Sequence, residues 1–172
     1  MRKAFVFDWD DTLATTSARI RLVQQGSCPE NDEIVGYIKP KDFSGYELDS
    51  GEYFDFTEFR NNEFIRNGDA TWLMNLASEV HDEGHDVYIL TAREDNSSDA
   101  IEEFLLQYGI KAKAIHCVGA LIGKTEDNKR KVLMMLIKEY DRIYFYDDCS
   151  KNIDKAPDKQ TYPNFRKYKV EL

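Results

Sequence analysis

Short runs of apolar residues recur along the chain, and each of them ends in polar residues. The runs cover residues 4–7, 87–90, 114–118 and 143–146. Continuous apolar runs of this length, rich in β-branched and aromatic residues, are typical of strands buried on both faces of a parallel sheet. We therefore predict that these runs form strands of one parallel sheet.

Stripes of apolar residues at helical spacing lie between these runs. Two of the stripes stop at Gly84 and Gly109, and glycine commonly follows the last residue of a helix. The alternation of strand and helix predicts an α/β domain with a Rossmann-like, mostly parallel sheet and helices on both faces. The stripes consist of Trp72, Leu73, Leu76, Ala77 and Val80, of Ile101, Phe104, Leu105 and Tyr108, and of Val132, Leu133, Leu136 and Ile137.

The segment 26–68 interrupts this alternation. It is rich in glycine, proline and aromatic residues, and a connection of this length inside a compact domain is usually functional. It follows the first predicted strand, and α/β folds place their ligands beyond the carboxyl ends of the strands. We predict a single domain over residues 1–172, with 26–68 as a small cap-like insertion that leaves the site open enough for a bulky substrate.

The composition narrows the possible functions. The chain has 172 residues, of which 42% are hydrophobic and 32% are charged, as is typical of a globular domain. The sequence lacks both a stretch of about 18 apolar residues and a signal-peptide core, so a cytoplasmic location is the default expectation. The net charge of −9 argues against a broad nucleic-acid-binding surface but is compatible with a small phosphorylated substrate.

Two aspartates, Asp8 and Asp10, follow the first predicted strand. Alternation of side chains places both on one side of the chain where the strand ends. Two close carboxylates repel each other unless a cation lies between them, and oxygen ligands suit Mg²⁺. An Asp-x-Asp pair also occurs in calcium loops and glycosyltransferases, but an apolar strand before it and Thr12-Leu13 after it favour a catalytic magnesium site.

Two other predicted strands also end in polar residues. The second ends in Thr91 and is followed by Arg93, and a hydroxyl and a guanidinium in these positions can bind phosphoryl oxygens. The fourth ends in Asp147 and Asp148, and packing alone does not explain an acidic pair at this place.

A cationic stretch precedes the third helical stripe. The stretch contains three lysines, Lys124, Lys129 and Lys131. One of them could hold a strand-end aspartate and a bound phosphate together. Lys129 continues the apolar stripe at helical spacing, which places it on the helix face turned toward the sheet. We therefore favour Lys129, with the other two left open.

The order Asp-x-Asp-x-Thr-Leu, strand-end Thr, Lys and strand-end Asp-Asp resembles the four motifs of the haloacid dehalogenase (HAD) superfamily of phosphohydrolases. The resemblance extends over most of the chain. The Thr-x-Arg form of the second motif, together with the twin aspartates, is similar to small phosphatases of phage and nucleic-acid-repair systems. One of these is the 3′-phosphatase domain of polynucleotide kinase-phosphatase.

The resemblance implies a role for each motif residue. Asp8 would be the nucleophile that becomes aspartyl-phosphate, and Asp10 the acid that protonates the leaving oxygen and then activates water. Thr91 and Lys129 would bind the transferred phosphoryl group. Mg²⁺ would be held by the Asp8 side chain, the Asp10 backbone carbonyl and Asp148.

Two residues near the fourth motif have less certain roles. Asp147 stands where many superfamily members carry glycine and would be a second acidic contact to the metal shell. Asn152 stands where many relatives carry aspartate, and its part in hydrating the metal stays open. An aspartate at position 10 favours phosphoryl transfer over dehalogenation.

These residues predict a Mg²⁺-dependent phosphomonoesterase acting on a small phosphorylated substrate, either a nucleotide or a nucleic-acid terminal phosphate. The alternative is a catalytically weak regulatory or binding protein that kept the metal site. A phosphoacceptor receiver domain is disfavoured, because the second acidic pair follows the lysine here.

Overall fold

The computed structural model describes residues 1–43 and 45–172, with every side chain of these ranges except that of Lys41. The strands are β1 Lys3–Phe7, β2 Ala14–Thr15, β3 Ile20–Gln24, β4 Glu33–Ile38, β5 Glu52–Asp55, β6 Asp69–Ala70, β7 Asp86–Thr91, β8 Ala114–Cys117, β9 Arg142–Asp147 and β10 Phe165–Lys169. The α-helices are α1 Pro40–Phe43, α2 Glu63–Arg66, α3 Leu73–Asp82, α4 Ser98–Leu106, α5 Thr125–Leu136 and α6 Ser150–Lys155.

A five-stranded sheet forms the centre of the fold, in the order β10-β9-β1-β7-β8. Every pairing in this sheet is parallel. The predicted strands are β1, β7, β8 and β9, and the predicted helices are α3, α4 and α5. The predicted α/β class with a parallel sheet is therefore confirmed.

Alternate residues of β1 face two separate cores, which explains its continuous apolar sequence. Phe5 and Phe7 pack with α3 and α4 on one side of the sheet. Ala4 and Val6 pack on the other side in the core that contains the apolar residues of α5. Helices thus cover both faces, as the sequence predicted.

The strand order reverses at β1, because the chain runs from β1 through β7 to β8 on one side and then crosses to β9 on the other. In open α/β sheets the crevice beyond the carboxyl ends of the strands at such a switch point is where ligands bind. Asp8 follows β1 and Asp147 ends β9, so the two predicted acidic motifs meet at this crevice.

The insertion after β1 forms a small antiparallel sheet in the order β4-β3-β5, followed by α2. Its first strand begins at Ile20, and Ile20, Leu22 and Ile38 form its own apolar core. The pair β2-β6 lies where the chain leaves the main body and returns to it. Among the described helices none is long and apolar enough to cross a membrane.

Candidate active site

A tight turn after β1 sets the direction of the first acidic motif. The Asp8 backbone N–H donates to the Tyr146 carbonyl of β9 at 2.9 Å, which continues the pairing of the two strands. Trp9 is buried and packs edge-on against Phe104 at a ring-centroid distance of 5.4 Å. The anchored indole leaves the carboxylates on either side of it, Asp8 and Asp10, to line the crevice.

Asp11 makes the turn itself and adopts a left-handed conformation with φ of 54°. Aspartate tolerates this region better than most residues that carry a side chain. The N–H groups of Leu13 and Ala14 both donate to the Trp9 carbonyl at 3.1 Å, which closes the loop. Backbone hydrogen bonds within the turn therefore fix the conformation of the first acidic motif.

Lys129 extends from α5 to the first acidic motif. Its side chain is 2% exposed, and Nζ donates to Asp8 Oδ1 at 2.6 Å and to Asp147 Oδ2 at 2.7 Å. Burial would lower the pKa of this ammonium, but the two carboxylates outweigh burial and raise the pKa above its ordinary value. Lys129 therefore stays charged and bridges the two strand ends.

The other two candidate lysines lie elsewhere. Lys131 donates to Asn128 Oδ1 at 3.2 Å, and Lys124 is exposed just before the first residue of α5. Of the three candidate lysines, Lys129 is therefore the one that contacts the predicted nucleophile, Asp8.

Asp147 is the most completely bonded acid of the site. Its buried carboxylate accepts hydrogen bonds from Lys129, from Asn152 Nδ2 at 3.0 Å to both oxygens, and from the Cys149 backbone N–H at 2.9 Å. These donors come from α5, from α6 and from the turn between β9 and α6. Asp147 therefore ties both helices to the end of β9.

Three carboxylates converge at this point. Ligand oxygens of Asp8, Asp147 and Asp148 lie within 4.8 Å of one another. Burial is the largest effect on Asp8 and raises its pKa well above the usual range, while Lys129 counteracts it. Burial, followed by repulsion from Asp147 and Asp11, raises the pKa of Asp148 to about 6. Burial and mutual repulsion therefore oppose the simultaneous ionisation of these carboxyls.

Arg93 engages Asp10 rather than standing free in the crevice. Its Nε and Nη2 donate to the two Asp10 carboxylate oxygens at 2.8 Å each, and Nη1 donates to the Phe59 carbonyl at 3.0 Å. The guanidinium also lies 5.0 Å from the centroid of the Phe59 ring. A bidentate pair of this kind fixes the plane of the carboxylate.

Two close contacts hold the loop that follows β7 in place. The Thr91 hydroxyl is fully buried and accepts the backbone N–H of Arg93 at 3.2 Å. Gly119 passes so close to the same loop that a β-carbon there would lie 2.2 Å from the Ala92 carbonyl oxygen. Only glycine permits this approach, and Gly119 is one site residue that sequence reasoning missed.

A cleft of about 570 Å³ opens above these residues. The main body contributes Asp8, Asp10, Arg93, Lys129 and Asp148 to its lining. The insertion contributes Ile20, Pro40, Phe43, Phe56, Phe59 and Arg60. All of these except Ile20 lie in the segment 26–68, the predicted cap-like insertion.

The structure thus brings Asp8, Asp147, Asp148 and Lys129 together, with Asp10 and Arg93 as an adjoining pair. Thr91 lies beneath this group rather than in the lining of the cleft. The phosphate contact predicted for Arg93 would require it to exchange contacts that it now makes with Asp10 and Phe59. This pairing could not be predicted, because the position of Arg93 in the sequence does not show which carboxylate its side chain reaches.

Comparison with known proteins shows the fold but not a sequence family. No protein-family model and no curated protein matches the chain. A HAD family enzyme of Bacteroides thetaiotaomicron, crystallised with magnesium and inorganic phosphate, is similar with a TM-score of 0.52 and 12% identity, over 99% of this chain and 95% of that one.

A HAD-superfamily hydrolase of Geobacter sulfurreducens is similar with a TM-score of 0.49 and 11% identity, over 91% of this chain and 86% of that one. This chain has a parallel sheet with helices on both faces. Together with the similarity to the Bacteroides enzyme, this architecture shows that the chain has the fold of HAD-superfamily enzymes.

Proposed function

We propose that the protein is a Mg²⁺-dependent phosphomonoesterase of the HAD superfamily. The observation that carries the proposal is the contact between Lys129 and Asp8 inside an acidic cluster at the switch point of the sheet. A protein of the same fold holds magnesium and inorganic phosphate, which supports the assignment of phosphate chemistry to this crevice.

The acidic cluster fits a divalent cation. Its donors are all oxygen atoms, the set that Mg²⁺ prefers, and crowding and burial raise the pKa values of Asp8 and Asp148. Asp8, Asp148 and the Asp10 backbone carbonyl would hold the ion, with Asp147 beside them. When bound, Mg²⁺ neutralises the crowded anions and polarises a phosphoryl oxygen.

Asp8 and Asp10 perform the covalent chemistry. An Asp8 carboxylate oxygen forms a bond to phosphorus while the bond from phosphorus to the leaving oxygen breaks. The Asp10 carboxyl, which must take up a proton and release one of its two hydrogen bonds from Arg93 before this step, gives that proton to the leaving oxygen. Asp10 then takes a proton from water as the water oxygen attacks the phosphorus of the aspartyl-phosphate. Inorganic phosphate leaves and the Asp8 carboxylate is restored.

The other residues keep these groups in place. Lys129 holds the nucleophile and donates to the transferred phosphoryl group. The buried Thr91 hydroxyl accepts the Arg93 N–H and so holds the loop that carries Arg93; the phosphoryl contact predicted for Thr91 would require this hydroxyl to become accessible from the cleft. Arg93 fixes the plane of Asp10. Asn152 and the Cys149 N–H orient Asp147, which in turn holds Lys129.

We propose a nucleotide or a nucleic-acid terminal phosphate as the substrate. The Thr-x-Arg and twin-aspartate motifs support this choice, because they are similar to those of small phage and 3′-phosphatase-like members of the superfamily. The open cleft of about 570 Å³ supports a leaving group of nucleoside size.

The test is release of inorganic phosphate from a panel of phosphomonoesters, with and without Mg²⁺. The panel includes p-nitrophenyl phosphate, nucleotides, oligonucleotide 3′- and 5′-phosphates and sugar phosphates. We expect Mg²⁺-dependent turnover by the natural protein and a loss of at least about 10⁴-fold in Asp8→Asn, because no covalent intermediate forms. Absence of turnover on every ester would instead favour a metal-binding regulatory protein.

A further inference from the structure

Three phenylalanines of the insertion form an aromatic wall in the cleft, namely Phe43, Phe56 and Phe59. The ring centroids of Phe43 and Phe56 are 5.5 Å apart with an interplanar angle of 82°. Those of Phe56 and Phe59 are 6.3 Å apart at 64°. The rings brace one another edge to face, a favourable arrangement for aromatic side chains.

The aromatic wall stays open to the cleft despite this packing. Phe43 is 36% exposed and Phe56 is 37% exposed. Phe54, packed 4.8 Å from Phe43 and 6.3 Å from Phe56, already supports the rings from the insertion side. Exposed rings that line a concave site are a common feature of sites that bind a planar apolar group.

Contacts with the main body hold the aromatic wall next to the reacting groups. Arg93 donates to the Phe59 carbonyl and packs on its ring while it holds Asp10. At the rim of the cleft Arg60 donates from Nε and Nη2 to one Glu94 oxygen at 3.0 and 2.9 Å. The aromatic wall is therefore preformed, and Arg93 joins it directly to the proposed acid.

The lining charges limit what the aromatic wall can bind. Glu94 and Glu126 line the same cleft in a protein with a net charge of −9, which opposes an extended polyanion over the aromatic wall. The Arg60–Glu94 pair supplies hydrogen-bond donors and acceptors at the rim. A planar group with polar edges matches both the rings and this rim.

We propose that the aromatic wall is a stacking subsite for the nucleobase of a phosphorylated nucleoside whose phosphate is attacked by Asp8. The inference rests on the proposed phosphomonoesterase function and specifies its substrate class. A free mononucleotide and the terminal nucleotide of a nucleic acid present the same chemistry. In both, the base lies on Phe56 while the phosphate reaches Asp8 and Lys129.

The test compares kcat/KM for nucleoside 3′- and 5′-monophosphates with that for ribose 5-phosphate, which lacks the base, in the presence of Mg²⁺. Stacking on one ring contributes enough to lower the nucleotide-to-sugar ratio about tenfold in Phe56→Ala. Phe56→Tyr keeps a ring and should restore the ratio. Tyr37→Ala is the matched control, since Tyr37 is 54% exposed on β4 and does not line the cleft.

A parallel calorimetric titration in Mg²⁺ measures binding of the same nucleotides to Asp10→Asn with and without Phe56→Ala, because Asp10→Asn removes the proposed acid but keeps the Asp8 carboxylate that would hold the metal. This readout tests stacking even if no turnover is found, so failure of the proposed function and failure of this inference are distinguished. Oligonucleotides with a terminal phosphate identify the source of the nucleotide; either source supports the inference if Phe56→Ala removes the preference for the base. Equal affinity for nucleotides in both proteins, or an unchanged nucleotide-to-sugar ratio in Phe56→Ala, would overturn the inference.

Discussion

The two ends of the central sheet each carry a cluster of polar side chains, but the clusters differ in their balance of charge. At the amino ends of the strands, Asp86 accepts a hydrogen bond from the Tyr140 hydroxyl at 2.6 Å and from Arg2 at 3.4 Å, and Lys113 lies 4.0 Å away. The Tyr140 hydroxyl also contacts that of Tyr88 at 2.7 Å. Asp86 at this end of the sheet therefore has several donors.

At the carboxyl ends of the strands, several acidic side chains lie around one buried ammonium group. Asp8 and Asp147 share the ammonium of Lys129, and Asp148 has a ligand oxygen within 4.8 Å of theirs. Burial and repulsion from Asp147 and Asp11 raise the pKa of Asp148 to about 6. A cluster that only stabilises the fold would gain nothing from excess buried negative charge. The difference supports the proposal that a cation from solution completes the carboxyl-end cluster.

The substitution expected to change stability most is Lys129→Met in the carboxyl-end cluster. It removes the ammonium but keeps much of the side-chain volume. Asp8 and Asp147 would lose their buried partner, and we expect the metal-free protein to lose about 3–5 kcal/mol of unfolding free energy. Chemical denaturation measures this loss. Lys131→Met, on the same helix, should change stability by less than about 0.5 kcal/mol, and an equal loss in both variants would contradict the account.

The next largest effect concerns Asp148→Asn. We expect the affinity for Mg²⁺ to fall by at least about 100-fold, because Asp148 is a direct ligand in the proposed site and loss of even an outer-shell partner weakens metal binding about 10–100-fold. The metal-free variant should be more stable than the natural protein at pH 7.5 by about 1 kcal/mol, allowing for the partial exposure of the carboxyl. Thermal unfolding with and without Mg²⁺ checks both effects, and destabilisation of the metal-free variant would argue against charge crowding.

A smaller effect should appear in the dependence on pH. Asp148 has a folded-state pKa of about 6 against an ordinary value of 3.8, so the folded protein holds this proton more tightly than the unfolded chain. The contribution of Asp148 to the stability of the metal-free protein should therefore fall as the pH rises from about 4 through about 6, and Asp148→Asn should remove this contribution. Because Mg²⁺ competes with the proton, the Mg²⁺-induced rise in Tm should be larger at pH 7.5 than at pH 5. A rise of the same size at both pH values would contradict this.

The smallest effect is expected at the opposite end of the sheet. Tyr140→Phe removes the hydroxyl that donates to Asp86 and contacts the Tyr88 hydroxyl. Asp86 retains Arg2 as a donor but Tyr88 loses this partner, so the unfolding free energy should fall by about 1 kcal/mol. Mg²⁺ binding and phosphate release should stay at the level of the natural protein. A loss of either would show that the two clusters are coupled through the sheet.

The sequence predicted those parts of the site that depend on periodicity. Asp8 and Asp148 follow strands that can be predicted from their apolar runs, and Lys129 lies on the apolar face of a predicted helix. Because the carboxyl ends of parallel strands lie at one edge of the sheet, the proximity of these three residues could be predicted. The pairing of Arg93 with Asp10 was not predictable, since a long side chain at a strand end can reach several partners.

Two further features depend on close approach between distant segments. Gly119 is required only because the loop after β8 passes the Ala92 carbonyl, and Asn152 contacts Asp147 only because α6 starts beside the end of β9. The strand Ile20–Gln24 lies ahead of the 26–68 segment, and its pairing with β4 and β5 is non-local. Sequence spacing alone does not report such contacts.

The most direct test of the central claim is calorimetric titration of Mg²⁺ into the metal-free protein at pH 7.5. We expect one saturable site in the natural protein, the same affinity in Asp86→Asn, and strongly weakened binding in both Asp8→Asn and Asp148→Asn. Absence of binding by the natural protein, or undiminished binding by the last two variants, would contradict the claim that the carboxyl-end cluster is a magnesium site.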